Sequence, residues 1–372
     1  MSKKFNIFLS ALFCAFLGGM LVISTILPDK DFSELENRKL SKAPEFSLEA
    51  ITEGEFMSKA ENYVSDHILG RDLWVSMKAW CERLLGKQEN NGVYFGDEGT
   101  LINRLETPDL EKLEQDMVNV DKLVSNAGVP VYFGLIPSSA EIWKDRLPTG
   151  APTADEKFII DQLYGKTRAE VIDLYSMLAQ HKDEDIYYRT DHHWTSLGAY
   201  YGYAALMETM GLEAVALETL TPTTVTEDFN GTIFSTSGVR WVEPDVIQTY
   251  IPDKNMEVTF YPEGKPIEGS LYVEEKLTLK DKYSYFLGGV QPLCTIKTQN
   301  TEAPKLLLIR DSYSDSLAPF LTQNFSEIHL WDLRYNLNSL QTYIQEHDID
   351  NVVVLYSISN FVSDKNLFLL GR

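Results

Sequence analysis

The stretch Leu306-Leu307-Leu308-Ile309-Arg310-Asp311-Ser312-Tyr313-Ser314 decides how the chain is read. Lys305 to Ile309 is a short apolar run behind one entry charge, the pattern of a strand buried on both faces of a parallel sheet. Helical spacing follows from Tyr313 to Gln323, so Ser312 stands on a turn between a strand end and a helix start. Ligands gather at the carboxyl ends of strands in open α/β sheets. At such a turn the N–H groups of Ser312 and Tyr313 are expected to point at one spot, which can stabilise an oxyanion. A plainer role competes. Ser and Asp are favoured helix caps, which would make Ser312 a cap and Asp311 and Asp315 capping or surface acids. Arg310, and Asn360 near the end of the chain, are candidate oxyanion or substrate contacts, against the commoner role of surface or capping residues.

Outward from this stretch, strands and helices alternate. Upstream, Pro108 to Ser125 reads as a helix with Leu110, Leu113, Met117, Val120 and Val124 on one face. Val129 to Ile136 reads as a buried strand ending at Pro137, Ala154 to Gly165 as a helix, Glu170 to Leu174 as a strand and Ser196 to Met210 as a helix. Downstream, Ile328 to Trp331 and Asn351 to Tyr356 read as strands around a helix from Asn338 to His347. This alternation predicts an α/β fold, a parallel sheet flanked by helices. Leu212 to about Thr301 breaks the pattern, with alternating runs at Val246 to Ile251, Val258 to Tyr261 and Leu271 to Leu279. It is expected to be a β-rich insertion over about 212–301. Ahead of the sheet, Asn91 to Ile102 reads as a hairpin turning at Asp97 to Gly99. Phe56 to Leu85 carries Phe56, Tyr63, Ile68, Trp74, Met77 and Leu84 at helical spacing, giving one or two amphipathic helices interrupted near Gly70.

A serine nucleophile needs a base within reach, and the base needs an orienting acid. The loop Tyr187-Tyr188-Arg189-Thr190-Asp191-His192-His193-Trp194-Thr195 offers both. Asp191 and His193 are two apart, so in extended chain their side chains share a face. Asp191 is then expected to hold one ring nitrogen of His193 and leave the other for Ser312. His192 points the opposite way, to a structural hydrogen bond or a substrate, and Trp194 packs. The competing reading is a metal or buried polar cluster, but no metal-ligand spacing is completed, so neither metal nor cofactor is expected. Ile136-Pro137-Ser138-Ser139-Ala140-Glu141-Ile142-Trp143 follows another strand end and is expected to wall the site.

The formal net charge of −22 over 372 residues argues against nucleic acid or an anionic membrane surface as the main partner. Lys3 and Lys4 precede an apolar run from Phe5 to Leu27, long enough to span ~30 Å of hydrocarbon. The lysines favour a cytoplasmic N-terminus and an exported remainder. No Ala-x-Ala site precedes Pro28, so residues 1–28 are expected to be an uncleaved single-pass anchor, with a cleaved signal and secretion as the alternative. A polar linker over 29–55 and a main domain over 56–372 follow. Outside the apolar run only Cys81 and Cys294 remain, too few for a disulfide scaffold or a cysteine zinc cluster.

Thr190-Asp191-His192-His193-Trp194-Thr195, with Glu36-Asn37-Arg38, Asn91-Gly92-Val93-Tyr94 and Arg310-Asp311-Ser312-Tyr313-Ser314, resembles the bacterial DHHW protein family. That family is similar to the alginate O-acetyltransferase-like proteins of the SGNH hydrolase superfamily. The resemblance covers nearly everything after the anchor. It implies an SGNH-like domain with circularly permuted motif order, the Asp-x-His motif preceding the nucleophile. Carried over by motif, Asp191 and His193 are the acid and base and Ser312 the nucleophile. His192, Tyr313, Arg310 and Asn360 are the candidate substrate contacts. The implied function is an extracytoplasmic O-acetyltransferase that passes acetyl to a polysaccharide beside a membrane-bound O-acyltransferase. A carbohydrate esterase and a non-catalytic polysaccharide-binding or assembly subunit are the alternatives on the same fold. The chain departs from the SGNH pattern in two ways: Arg310-Asp311-Ser312 replaces the usual Gly-Asp-Ser, and no glycine-based oxyanion donor is evident.

Overall fold

The computed structural model describes residues 3–33, 35–36 and 38–372. Met1 and Ser2 of the expected anchor and Asn37 of the Glu36-Asn37-Arg38 motif lie outside the described residues. The chain forms two compact units, Met1–Asn90 with Ser235–Arg240, and Asn91–Phe234 with Trp241–Arg372.

The larger unit is built on an eight-stranded sheet. Its strands are β1 (Val131–Ile136), β2 (Glu170–Ile172), β3 (Glu257–Phe260), β4 (Ile267–Glu268), β5 (Leu293–Lys297), β6 (Lys305–Arg310), β7 (Glu327–Trp331) and β8 (Asn351–Ser357). Across the sheet they run β4-β3-β5-β7-β6-β8-β1-β2. The five from β7 to β2 are parallel. β5, β3 and β4 add to the β7 edge in antiparallel pairs. The sheet is therefore mixed, not purely parallel, because the last part of the expected insertion joins the main sheet.

β6 lies inside the parallel part, which explains its unbroken apolar run. Leu306 and Leu308 enter a core with Trp194, Leu317 and Phe320. Leu307 and Ile309 enter another with Val120, Trp331 and Val354. All four leucine and isoleucine side chains have no exposed surface. Alternate residues face opposite sides of a strand, so a strand covered on both sides must be apolar at every position.

Elsewhere the boundaries follow local chemistry. The Ser196–Met210 helix starts at Thr195, whose hydroxyl accepts from the Gly198 N–H at 3.2 Å. β2 is shorter than expected because Asp173 caps a new helix, Leu174–Gln180, accepting from the Ser176 N–H at 3.0 Å. Leu271 to Leu279 is not a strand. Its Glu274-Glu275-Lys276 core breaks the apolar alternation and forms a 3-10 helix over Glu274–Thr278. The hairpin around Asp97–Gly99 pairs Val93–Phe95 with Leu101–Asn103.

The smaller unit opens with an apolar helix, Lys3–Ile26, that is long and apolar enough to cross a membrane and has no buried residue among those described. Helices Glu55–His67 and Arg71–Leu84 follow, separated by Gly70 at φ +69°, a left-handed turn that favours glycine. Residues 29–55, expected as linker, hold a strand pair, Phe32–Ser33 with Arg38–Lys39, and a short helix, Leu48–Thr52. Ion pairs from Arg38 to Asp66 and from Arg71 to Glu36, the latter at 2.6 Å, tie this segment to the helices.

Candidate active site

Ser312 follows the end of β6, as the strand–turn–helix pattern requires. It is half-buried, and its Oγ lies 2.8 Å from His193 Nε2. It is not the helix cap. Tyr313 is the N-cap of the Ser314–Leu321 helix, with no side-chain cap bond. Asp311 instead accepts from the Tyr313 N–H at 3.0 Å, so that N–H is not free to act as an oxyanion donor. The Ser312 N–H has no protein acceptor among the described residues and is the backbone donor left at the turn. Ser314, the neighbouring hydroxyl, is fully buried.

The imidazole is held from several sides. Asp191 Oδ1 accepts from His193 Nδ1 at 2.6 Å and from the His193 backbone N–H at 3.0 Å. Its Oδ2 accepts from the Thr232 N–H at 2.7 Å and the Thr232 hydroxyl at 2.9 Å. Burial alone would raise this carboxyl. The two imidazoles and the hydrogen bonds from His193 and Thr232 outweigh it and hold Asp191 well below the usual carboxylate range. The Tyr283 ring stacks on His193 with centroids 3.7 Å apart and planes 8° from parallel. Tyr283 also donates to the Ser312 carbonyl at 3.0 Å, so one side chain braces both His193 and Ser312.

The loop that carries Asp191 and His193 is itself pinned. The Tyr188 N–H donates to the His193 carbonyl at 3.2 Å, closing the loop on itself. Asp245 accepts from the Arg189 N–H at 3.0 Å and the Thr190 N–H at 2.8 Å. Trp194 packs as expected: it is fully buried and its indole donates to the Tyr313 carbonyl at 2.8 Å. A Cβ on Gly202 would stand 2.6 Å from that ring, so the helix needs glycine there to accept the indole. Trp194 thus ties the His193 loop to the Ser312 turn.

Other expected contacts are placed differently. Arg310 does not reach substrate space. Strand alternation turns it inward with Leu306 and Leu308, and it is fully buried, with Nη1 3.0 Å from Asp315 Oδ1. Asp315 is accordingly no surface acid; burial raises its carboxyl to about 7 against the lowering effect of Arg310. Asp311 is also fully buried, and its Oδ2 accepts from the Ser357 N–H at 2.8 Å, the Ser357 hydroxyl at 2.7 Å and Asn360 Nδ2 at 2.8 Å. Asn360 is half-buried and so meets the Ser312 turn through Asp311. Tyr313 is buried, and its hydroxyl donates to the His192 carbonyl. His192 is half-buried; its Nδ1 bonds the Thr232 hydroxyl at 2.7 Å, and burial, then His193, lower its pKa. Ser138 in the expected wall bonds Glu156 through its N–H at 2.8 Å and hydroxyl at 2.6 Å.

Ligand atoms of Asp191, His192 and His193 lie within 4.8 Å of one another. An ion there would compete with the Thr232 bond to His192 and with both bonds to the His193 ring. The arrangement can move a proton from Ser312 to an imidazole steadied by a carboxylate. Tyr283, Thr232 and Asp245 join the site without any signal in the sequence. Each comes from the region read as an insertion, and no local pattern ties a lone Tyr or Thr there to a loop so far back in the chain.

Comparison with known proteins agrees with the sequence resemblance. A DHHW family protein from Eubacterium siraeum is 26% identical, with a TM-score of 0.67 over 76% of this chain and 95% of that chain. Bacillus cereus PatB1, in a structure with a sulfonyl adduct, is 24% identical, with a TM-score of 0.65 over 75% of this chain and 98% of that one. The O-acetyltransferase domain of Pseudomonas putida AlgJ is more distant, 16% identical with a TM-score of 0.47 over 73% and 93%. No curated protein matches the chain. The profile described as DHHW protein matches residues 116–331, more than half of the chain and including both Asp191-His192-His193-Trp194 and Ser312, and the chain belongs to that family.

Proposed function

We propose that this protein is a Ser-His-Asp O-acetyltransferase acting on a cell-surface or secreted polysaccharide outside the cytoplasmic membrane. The observation that carries the reading is the hydrogen-bonded line from Asp191 through His193 to Ser312, at 2.6 and 2.8 Å. His193 Nε2 takes the Ser312 proton as Oγ bonds to the carbonyl carbon of an acetyl donor. Collapse of the tetrahedral intermediate breaks the bond to the leaving group, which receives that proton. A sugar hydroxyl then gives its proton to His193 and attacks the acetyl-serine; the bond from the carbonyl carbon to Ser312 Oγ breaks, His193 returns the proton to Oγ, and the sugar keeps the acetyl group. Asp191 stays ionised throughout and stabilises the imidazolium. The Ser312 N–H is the backbone donor assigned to the oxyanion, with Asn360 as the candidate second contact.

The motif resemblance to alginate O-acetyltransferase-like proteins supports acetyl as the acyl group and a glycan as the acceptor. In this reading the domain has the permuted SGNH order, with Asp191-x-His193 ahead of Ser312. The Lys3–Ile26 helix is a retained single-pass anchor, the remainder is extracytoplasmic, and a membrane-bound O-acyltransferase supplies the acetyl group. No cofactor enters the chemistry.

Full-length protein given an activated acetyl ester, with and without polysaccharide, tests the reading. Acetyl appearing on the glycan with wild type and not with Ser312→Ala supports transfer. Release of acetate alone at an undiminished rate in the presence of glycan would assign it as an esterase. Neither product, with glycan still bound, would leave the binding-subunit reading.

A further inference from the structure

The Arg71–Leu84 helix has no part in this chemistry, yet its outer face is apolar. Leu73 is 63% exposed, Trp74 40%, Met77 46% and Leu84 79%. Residues 73, 77 and 84 fall at i, i+4 and i+11, one stripe along a helix, with Trp74 at its margin. The opposite face is the one packed inside its unit. Ala79 is fully buried, and a Cβ on Gly238 would sit 3.3 Å from Val75. A soluble helix turns its apolar stripe inward, so this one is built for a second apolar medium.

Its neighbourhood says which medium. The Leu69 N–H, just before the helix, donates at 2.8 Å to the hydroxyl of Ser24, in the last turn of the Lys3–Ile26 helix. A cleft of 520 Å³ lined by Ser24, Leu27, Phe32, Ile68 and Leu73 joins the two, so Leu73 belongs both to the cleft and to the stripe. Twenty-four helical residues at 1.5 Å each exceed ~30 Å of hydrocarbon, which puts Ser24 close to the outer boundary of the bilayer. Leu27, Ile68 and Leu73, set among charged side chains that also line the cleft, lead from the span to a helix that begins at the lipid headgroups and carries a tryptophan at its edge.

We infer that the Arg71–Leu84 helix lies in the outer surface of the lipid bilayer, with Leu73, Trp74, Met77 and Leu84 set among the headgroups and upper acyl chains. It makes a second, interfacial membrane contact beside the span, of the kind amphipathic helices form. This rests on the Lys3–Ile26 helix being a retained anchor. The contact would hold the unit that carries it close to the membrane surface, where an acyl group arriving through the bilayer emerges.

Two native cysteines test both readings separately. Cys14 lies mid-span, Cys81 lies exposed on the Arg71–Leu84 helix, and Cys294 is buried. Full-length protein in phosphatidylcholine vesicles is spin-labelled at Cys14 with Cys81→Ser, or at Cys81 with Cys14→Ser. Collision with oxygen and with a water-soluble nickel chelate then reads depth. The expected result is a Cys14 label in the hydrocarbon and a Cys81 label at the headgroup boundary. Leu73→Glu with Met77→Glu should move the Cys81 label into water and leave Cys14 deep. A Cys81 label in water from the outset, with Cys14 deep, overturns the inference and spares the anchor. A Cys14 label in water overturns both. A Cys81 label reached by neither reagent, or coupled to a second Cys81 label, means that protein covers the face and also overturns it.

Discussion

Asp191 does the most with the fewest atoms. One oxygen holds the ring and backbone of His193, and the other is fixed by Thr232. Asp191→Asn keeps the size but presents an amide N–H where an acceptor is needed, favouring the wrong tautomer of His193. Turnover should fall by ~10⁴, the loss seen for that substitution in a serine protease triad. Thermal melting should show the fold retained; unchanged turnover in a folded variant would remove Asp191 from the mechanism. The i, i+2 spacing named this pair, but the loop is bent and not extended: Asp191 turns back onto the His193 N–H, and the His192 ring lies beside that of His193, centroids 3.9 Å apart, instead of pointing the opposite way. Arg310 was misread for a related reason. A charge at a strand end resembles an exposed residue until the same alternation is followed one step further, and its buried partner Asp315 is unremarkable in sequence.

Among the elements, the short Gly231-Thr232 segment matters out of proportion to its length. A Cβ on Gly231 would stand 2.2 Å from Asp191 Cβ, closer than any rotamer can relieve. Gly231→Ala should therefore displace the acid. We expect a loss of about 1–3 kcal/mol of stability, as for other overpacked sites, with a fall in kcat of at least ~10² from misplacement; stability and kinetics of the purified variant check both. The turn after β1 gives a pH signature. Burial raises the Glu156 carboxyl to about 7, more than its bonds from Ser138 lower it. The folded state thus holds a proton that the unfolded chain releases near 4.5. The stabilising contribution is full below about 4.5 and is lost as pH rises through about 7. Glu156→Gln should flatten that part of the stability profile in denaturant titrations across this range. The strands and helices around these points were readable wherever burial on both faces or a cap wrote itself locally, as in β6 and the Ser196–Met210 helix. Leu271 to Leu279 was not, since apolar residues at its ends mimic alternation across a charged middle.

At the scale of the molecule, the fold closes a gap of 119 residues between His193 and Ser312. β6 delivers Ser312 to one end of the sheet, as the βα alternation foretold, and the His193 loop reaches it through the Trp194 bond to the Tyr313 carbonyl. The chain between contributes more than connection: Tyr283 braces both residues, and β3 to β5 extend the sheet. That role was illegible because strand pairing at an antiparallel edge depends on long-range register and not on composition. All of this architecture serves one claim, that Ser312 is acylated. Full-length protein mixed with an activated acetyl ester, quenched in acid within the first turnover and digested for peptide mass spectrometry, measures it directly. One acetyl group is expected on the peptide holding Ser312, located on that residue by fragmentation, absent from Ser312→Ala and much slower to form in Asp191→Asn. Acetyl found on another side chain, or glycan acetylated at full rate by Ser312→Ala, would contradict it.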